Sequence, residues 1–224
     1  MAARAVATVR DGGQAPAGHE GVLADPAVVA DARRRYGPNR SWSVSRLNRF
    51  GVCPYAFWAQ YALELEPVAD PAEGLEARQR GSLVHKMLET LFARLAAENL
   101  APGILGAEKI AALLHEVCDE FLPRAAERYG FRPGPLWERE QAELRAELAA
   151  YMAWECDPAQ TGSFRPFLQE VRFGLGGGAG AYGPVEIIGL AGDAIRLRGV
   201  VDRIDRDEAG RLRVIDYKTS SVRL

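Results

Sequence analysis

The feature that most constrains the fold is a pair of strand-like runs near the end of the chain, joined by a short turn. One covers residues 194–205 and the other residues 211–218, and both are rich in Ile, Leu and Val with charged residues between them. A three-residue loop at 208–210, with its glycine in the left-handed conformation, places Asp202 directly opposite Asp216. The pattern therefore predicts a β-hairpin that carries two aspartates on one face.

Lys218 falls on the same face, because side chains alternate along a strand and Lys218 follows Asp216 by two residues. Two neighbouring carboxylates repel each other, and a divalent cation between them removes the conflict. Mg²⁺ or Mn²⁺ accepts such oxygen ligands, polarises phosphoryl oxygens and activates water. Lys218 would then orient the water or stabilise charge on the phosphate. The hairpin predicts a metal-dependent hydrolytic centre; a solvated hairpin with surface salt bridges is the alternative.

Helical patterns precede the strands. They are predicted at 43–53, 55–63, 71–99, 108–129 and 135–155, and further strands at 164–173 and 185–190. Helices followed by strands indicate an α+β fold, in which helices cover a mostly antiparallel sheet. Residues 1–40 are rich in Ala, Gly and Pro, which predicts a linker or disordered lead-in. One domain, residues 41–224, follows it.

Composition fits a globular domain with a sizeable core. The 224 residues are 48% hydrophobic with a net charge of −2, but basic residues outnumber acidic ones eight to five between Ala194 and Leu224. This local excess would attract phosphates, although arginines that solvate an outer sheet face are an equal alternative. We find neither an apolar run of about 18 residues, which a membrane span needs, nor the apolar core of a signal peptide. Three widely spaced cysteines indicate the reducing cytoplasm.

Four motifs occur in one order along the chain. They are Ser41-Trp-Ser-Val-Ser-Arg-Leu through Cys53-Pro-Tyr-Ala-Phe57, Gly81-Ser-Leu-Val-His85, the G-V-V-D-R-I-D run that contains Asp202, and V-I-D-Y-K-T around Asp216. Together they resemble the PD-(D/E)XK nuclease superfamily, in the branch of the RecB and AddB helicase-nuclease subunits. The resemblance covers about Ser41 to Thr219. It implies a restriction-endonuclease-like core behind a helical N-terminal part.

The resemblance also implies a set of site residues. His85, Asp202 and Asp216 would bind Mg²⁺ or Mn²⁺ together with the backbone carbonyl of Tyr217, and Lys218 would be catalytic. From its position beside an apolar stripe alone, His85 is better explained as a partly buried histidine that is hydrogen-bonded to a neighbour, and the resemblance reverses this preference.

Glu170 matches an acidic residue of the family's V-E-x-x-F segment. It would hold the water or the catalytic lysine in place, and a plain salt bridge within a strand is the alternative. Glu89 lies on the face of His85, four residues on, where it could orient His85, but a surface carboxylate is favoured.

Cys53 precedes Pro-Tyr, where the resemblance implies the first of four ligands of a 4Fe-4S cluster. The other three would follow the catalytic lysine, and those positions do not occur in this sequence. We therefore expect a chain that is incomplete at its C-terminus and a cluster only in a longer protein. Cys118 and Cys156 lack C-x-x-C spacing, which favours buried structural residues.

These observations lead to an expected function. The chain is predicted to be a DNA nuclease that acts as an exonuclease of the AddB or RecB type in recombination and double-strand-break repair, with a helicase domain or subunit as partner and no membrane. One alternative is a catalytically impaired nuclease fold that binds DNA or braces a helicase partner. A small-molecule metal hydrolase is disfavoured, because the sequence has no His-rich zinc pattern and no Gly-rich phosphate loop.

Overall fold

The helices and strands follow one another much as the sequence periodicity predicts. A computed structural model describes residues 25–37, 39–66, 74–176, 182–189 and 194–219. The helices of this described part are α1 (Pro26–Tyr36), α2 (Val44–Val52), α3 (Pro54–Phe57), α4 (Ala77–Ala97), α5 (Pro102–Leu105), α6 (Ala107–Phe121), α7 (Ala125–Tyr129), α8 (Pro135–Glu155) and α9 (Pro158–Thr161). The strands are β1 (Ser41–Ser43), β2 (Arg165–Phe173), β3 (Val185–Ile188), β4 (Ala194–Arg206) and β5 (Leu212–Ile215). A π-helical turn, Trp58–Ala62, extends α3.

Strand β4 organises the sheet. Among the described residues β2, β3 and β5 pair with it antiparallel, whereas β1 pairs with it in parallel. The α+β class and the restriction-endonuclease-like architecture are therefore confirmed. Sequence periodicity missed β1 because its three residues are too few to show an alternation.

The segment predicted as a lead-in differs from that expectation in part. Pro26–Tyr36 forms helix α1, which begins at Asp25, whose side chain accepts hydrogen bonds from the amides of Ala27 and Val28. The helix has no buried residue. Large apolar groups are few in this segment, so the sequence shows no hydrophobic periodicity that predicts the helix. Residues 1–24 lie outside the described residues.

Helix α4 supplies the centre of the core. The six residues predicted as its buried stripe are all buried: Val84, Met87, Leu88, Leu91, Phe92 and Leu95. Their spacing at three and four residues puts them on one face, which packs against α6 and the sheet. Leu91 and Phe92 have no exposed surface, and burial of each such side chain contributes about 1.5–3 kcal/mol. This packing fixes the side of α4 that carries His85.

The hairpin of β4 and β5 has the predicted register. Arg203 pairs with Ile215 and Asp205 with Arg213, and the turn closes where the amide of Gly210 donates to the carbonyl of Asp207 at 3.1 Å. Gly210 has φ of 78°, the left-handed conformation that the loop requires. Continued by one residue, this register sets Asp202 opposite Asp216. Strand β5 nevertheless ends at Ile215, so that the Asp216-Tyr217-Lys218 segment follows the strand and does not form part of it, contrary to the sequence prediction.

Candidate active site

Three ligand-type side chains converge where β2, β4 and α4 meet. His85, Glu170 and Asp202 each offer an atom, and these atoms lie within 4.8 Å of one another. The Nδ1 atom of His85 is 3.4 Å from Oδ1 of Asp202. One imidazole nitrogen and two carboxylates are donors that suit Mn²⁺ and Mg²⁺. The described residues therefore fit a divalent cation at this place.

Each of these three residues is positioned by a different element. His85 projects from the middle of α4, and Asp202 lies in β4 with 9% of its surface exposed. Glu170 lies in β2, where the pairing of Gln169 with Arg203 and of Val171 with Val201 sets it opposite Asp202. The site thus joins the longest strand to the most deeply buried helix.

Glu170 has a conformation that its side chain does not favour. Its φ is 49°, in the left-handed region, although it lies within a strand. For a residue other than glycine such a backbone costs about 1 kcal/mol or more, and it occurs where the surroundings impose it. Burial raises the pKa of Glu170, and the negative charges of Glu89 and Asp202 raise it further. Both the left-handed backbone of Glu170 and its ionised carboxylate are therefore energetically unfavourable in the folded protein.

The sequence assigned Glu170 a supporting role or a strand salt bridge. Among the described residues no lysine, arginine or histidine forms an ion pair with Glu170, and its carboxylate is grouped with His85 and Asp202. The role of Glu170 stays a prediction. Glu89 forms an ion pair with Lys86 at 2.6 Å, but only 26% of its side chain is exposed and its charge helps to raise the pKa of Glu170. It is therefore less exposed than the surface carboxylate that was expected. The register between β2 and β4 places Glu170 opposite Asp202. Sequence periodicity predicts each strand but not the register between them, so it could not place Glu170 in the site.

The Asp216-Tyr217-Lys218 segment lies beside this group. The backbone amide of Tyr217 donates to Oδ2 of Asp202 at 2.6 Å, and its carbonyl oxygen is 3.1 Å from Nε2 of His85. The carboxylate of Asp216 and the ammonium of Lys218 form an ion pair at 2.5 Å, and both side chains are more than half exposed. The structure therefore brings His85, Asp202 and the Tyr217 backbone together. The Asp216 carboxylate pairs with Lys218 and is not part of the group of His85, Glu170 and Asp202.

Three arginines of the hairpin form ion pairs with carboxylates of the protein. Arg203 is fully buried and pairs with Glu155 and Asp205, Arg213 pairs with Asp205, and Arg211 pairs with Asp207. Whether the local excess of basic residues attracts phosphates stays a prediction, and for these three arginines the ion pairs reduce the charge available for it. Their charges are compensated by carboxylates within the protein.

The cysteines remain separate from the site. The thiol of Cys53 accepts a hydrogen bond from the amide of Ala56 at 3.4 Å and thereby caps α3. Cys118 is buried and Cys156 is partly buried, as expected of structural cysteines, and all three are free. Burial raises the pKa of the Cys118 and Cys156 thiols, which keeps them protonated and unreactive. The cluster role of Cys53 stays a prediction.

No helix in the described ranges is long and apolar enough to cross a membrane.

Several known proteins with a common name are similar to this chain. Among curated proteins, the chain is similar to several that are named as a subunit of an ATP-dependent helicase/deoxyribonuclease. It is 27% identical over 200 residues to the one from Acetivibrio thermocellus, 30% over 199 residues to that from Listeria innocua and 30% over 214 residues to that from Moorella thermoacetica. These alignments cover 88–89% of the chain but only 17% of each relative. The chain therefore spans about a sixth of the length of these relatives.

Residues 41–224 match the family model of the PD-(D/E)XK nuclease superfamily. This range contains both carboxylate strands, the histidine of α4 and the Asp216-Tyr217-Lys218 segment. On this match the chain belongs to the PD-(D/E)XK nuclease superfamily.

Proposed function

We propose that this chain is a metal-dependent DNA nuclease that hydrolyses phosphodiester bonds. The observation that carries the proposal is the convergence of His85, Glu170 and Asp202 beside the Asp216-Tyr217-Lys218 segment. A metal-dependent nuclease needs a cation and a positioned base or acid at one phosphate, and this convergence together with Lys218 offers residues for both.

His85, Asp202 and Glu170 would hold Mg²⁺ or Mn²⁺, with the carbonyl of Tyr217 as a further oxygen ligand. Asp216 would add its carboxylate by turning its exposed side chain away from Lys218. When bound, the metal would polarise a phosphoryl oxygen and lower the pKa of a water molecule. The amide of Tyr217 holds Oδ2 of Asp202 and leaves Oδ1 on the side of His85.

Lys218 would act directly on the reacting groups. Its side chain is 70% exposed and is tethered by Asp216 at 2.5 Å, so a phosphate that enters the site can reach it. A cation placed there orients the attacking water or stabilises the negative charge that grows on the phosphate. Release of Lys218 from Asp216 and recruitment of Asp216 by the metal would be a single exchange of partners.

The names of the relatives suggest the setting. We propose that the chain works in the cytoplasm as the nuclease part of a helicase-nuclease, in recombination and the repair of double-strand breaks, and that it digests DNA as an exonuclease. A helicase domain or subunit would deliver the DNA strand. The relatives are named as subunits of an ATP-dependent helicase/deoxyribonuclease, and this supports a helicase partner.

Cleavage of end-labelled single- and double-stranded DNA by the purified chain tests the proposal. We expect cleavage with Mg²⁺ or Mn²⁺, none with excess chelator, and none in His85→Ala. His115→Ala is the matched control, because His115 is a 72% exposed histidine of α6 that pairs only with Asp119 among the described residues. Cleavage that survives chelation, or that persists in His85→Ala, would contradict the metal site.

The same experiment separates the alternative function. A chain that binds DNA and Mn²⁺ but does not cut under any of these conditions would be an impaired nuclease fold that binds DNA or braces a helicase. Circular DNA, which an exonuclease cannot cut, and linear DNA compared side by side would decide between internal and terminal cleavage.

A further inference from the structure

A cluster of buried charges lies under the Asp216-Tyr217-Lys218 segment. Arg203 has no exposed surface, and its guanidinium pairs with Glu155 at 2.7 Å and with Asp205 at 2.9 Å. Asp205 also pairs with Arg213 at 2.6 Å. Glu155 comes from the last turn of α8, so the cluster joins that helix to β4. We call Arg203, Glu155 and Asp205 the Arg203 cluster.

Buried ion pairs need a reason beyond stability. Removing charges from water costs several kcal/mol per ion, and apolar residues of similar volume often replace a buried pair with no loss of stability. Burial alone would lower the pKa of Arg203, but its anionic and phenolic neighbours outweigh this and raise it, which keeps the guanidinium charged. The geometry that the charges impose is the property that apolar packing cannot reproduce.

Tyr217 connects this cluster to the site. Its ring is buried, stacks on Phe92 with an interplanar angle of 19° and meets the ring of His85 edge-on. The guanidinium of Arg203 lies 3.8 Å from the Phe92 ring centroid, and its Nη1 donates to the Tyr217 hydroxyl at 3.4 Å. The ring is therefore held at its hydroxyl end and on its Phe92 face.

The backbone of the same residue holds the metal-site side chains. The Tyr217 amide donates to Asp202 at 2.6 Å, and its carbonyl lies 3.1 Å from Nε2 of His85. We propose that the Arg203 cluster is a positioning device: it fixes the ring of Tyr217, and through the ring it fixes the two backbone groups that orient Asp202 and His85. Its effect on cleavage rests on the proposed nuclease function, whereas its effect on Tyr217 does not.

The double variant Arg203→Met, Glu155→Met tests this proposal. It removes both members of the buried pair and fills the space with apolar side chains, while Asp205 keeps Arg213. We expect a folded protein with a melting temperature within several degrees of the parent. Its Tyr217 amide should exchange with solvent about tenfold faster, which corresponds to about 1.4 kcal/mol of lost local protection. Its Kd for Mn²⁺ should rise about tenfold.

A role in stability alone gives a different result. It would speed the exchange of all slow amides together, including that of Val117 in the buried core of α6, which serves as the internal reference. A double variant whose Tyr217 exchange, relative to Val117, and whose Mn²⁺ affinity both match the parent would overturn the proposal.

Arg145→Met is the matched control. Arg145 of α8 pairs with Asp119 of α6 at 2.7 Å, the same distance as in the Arg203–Glu155 pair, and lies outside the Arg203 cluster. We expect it to leave the Tyr217 amide and the Mn²⁺ affinity unchanged. If the double variant does not fold, Arg203→Lys replaces it, because lysine keeps the charge and loses the planar fork. The same changes in smaller measure are expected, and parental behaviour of this variant would again overturn the proposal.

Amide exchange of Tyr217 needs neither metal nor DNA. If the parent chain binds no Mn²⁺ and cuts no DNA, the proposed function fails while the exchange experiment still decides the positioning role. If the parent cuts DNA and the double variant exchanges like the parent, the positioning role fails alone.

Discussion

The two faces of the β4–β5 hairpin handle charge in opposite ways. On the inner face, the charges of Arg203 and Arg213 are matched by Glu155 and Asp205 at 2.6–2.9 Å. On the side of Asp202, two carboxylates and an imidazole lie together with no arginine or lysine paired to Asp202 or Glu170 among the described residues. The charges of the inner cluster are matched within the protein. The group at Asp202 carries two carboxylates without such a match, and under the proposed function a bound cation would supply it.

The largest expected effect lies on the outer side. Lys218→Ala and Asp216→Ala should each lower metal-dependent cleavage by about 10³-fold, because Lys218 would stabilise charge at the reacting phosphate and Asp216 would bind the metal. Both side chains are more than half exposed, so the melting temperature should stay within about 2 °C. Lys109→Ala, a lysine in the first turn of α6, is the control and should cleave normally. DNA cleavage and thermal unfolding measured on the same samples check this, and parental cleavage by either variant would remove that residue from the catalytic role.

Substitution on the inner face should lower the free energy of unfolding. Arg203→Met alone leaves Glu155 buried without its partner, and removing one member of a buried pair costs about 3–5 kcal/mol. Urea denaturation gives the free energy of unfolding. We expect a much smaller loss in Arg94→Met, because the side chains of its partners Glu116 and Glu120 are 69% and 42% exposed. Equal losses in the two variants would show that the inner cluster is not specially dependent on its charge balance.

Gly210→Ala should weaken both faces together. Its φ of 78° is costly for any side chain, although the space around it is open. We expect a loss of about 1 kcal/mol in the free energy of unfolding. Gly134→Ala, at a glycine without positive φ and also in open space, is the control. If the loss of Mn²⁺ binding free energy exceeds the loss of unfolding free energy, the turn matters more for the metal site than for the stability of the hairpin.

The smallest expected effect is a gain in stability on replacement of Glu170. The pKa of Glu170 is raised in the folded, metal-free protein by burial and by neighbouring carboxylates. A carboxyl group with a raised pKa contributes its stability fully below its unfolded pKa and loses it as the pH rises through its folded pKa. Glu170→Gln should therefore stabilise the metal-free protein at pH 7 by on the order of 0.5 kcal/mol, discounted for partial exposure.

The pH series and the metal supply the checks on this gain. The two proteins should be equally stable near pH 4, where Glu170 is largely protonated in both the folded and the unfolded chain. Saturating Mn²⁺ should reverse the order at pH 7, because the metal stabilises the parent more. A Gln variant that is less stable than the metal-free parent at pH 7 would contradict the raised pKa.

The local parts of the fold were predictable, and the site was predictable only in part. The register that sets Asp202 opposite Asp216 follows from a short loop ending in Gly210, so sequence was enough. The buried stripe of α4 follows from its spacing. The role of Arg203 was not predictable, because a charged residue in a strand gives the same pattern whether it faces water or a buried carboxylate. The position of Glu170 in the site was also not predictable, because the strand that it pairs with lies about 30 residues away in the sequence.

The pairing of His85 with the Tyr217 backbone spans 132 residues of sequence. Closing a loop of that length costs on the order of 4 kcal/mol of chain entropy before any contact compensates for it. During synthesis α4 and its apolar face are therefore made long before the strands that cover it, and the centre cannot assemble until residue 217 has left the ribosome. Folding of this domain should be slow for its size, and the growing chain should depend on chaperones that bind exposed apolar helices.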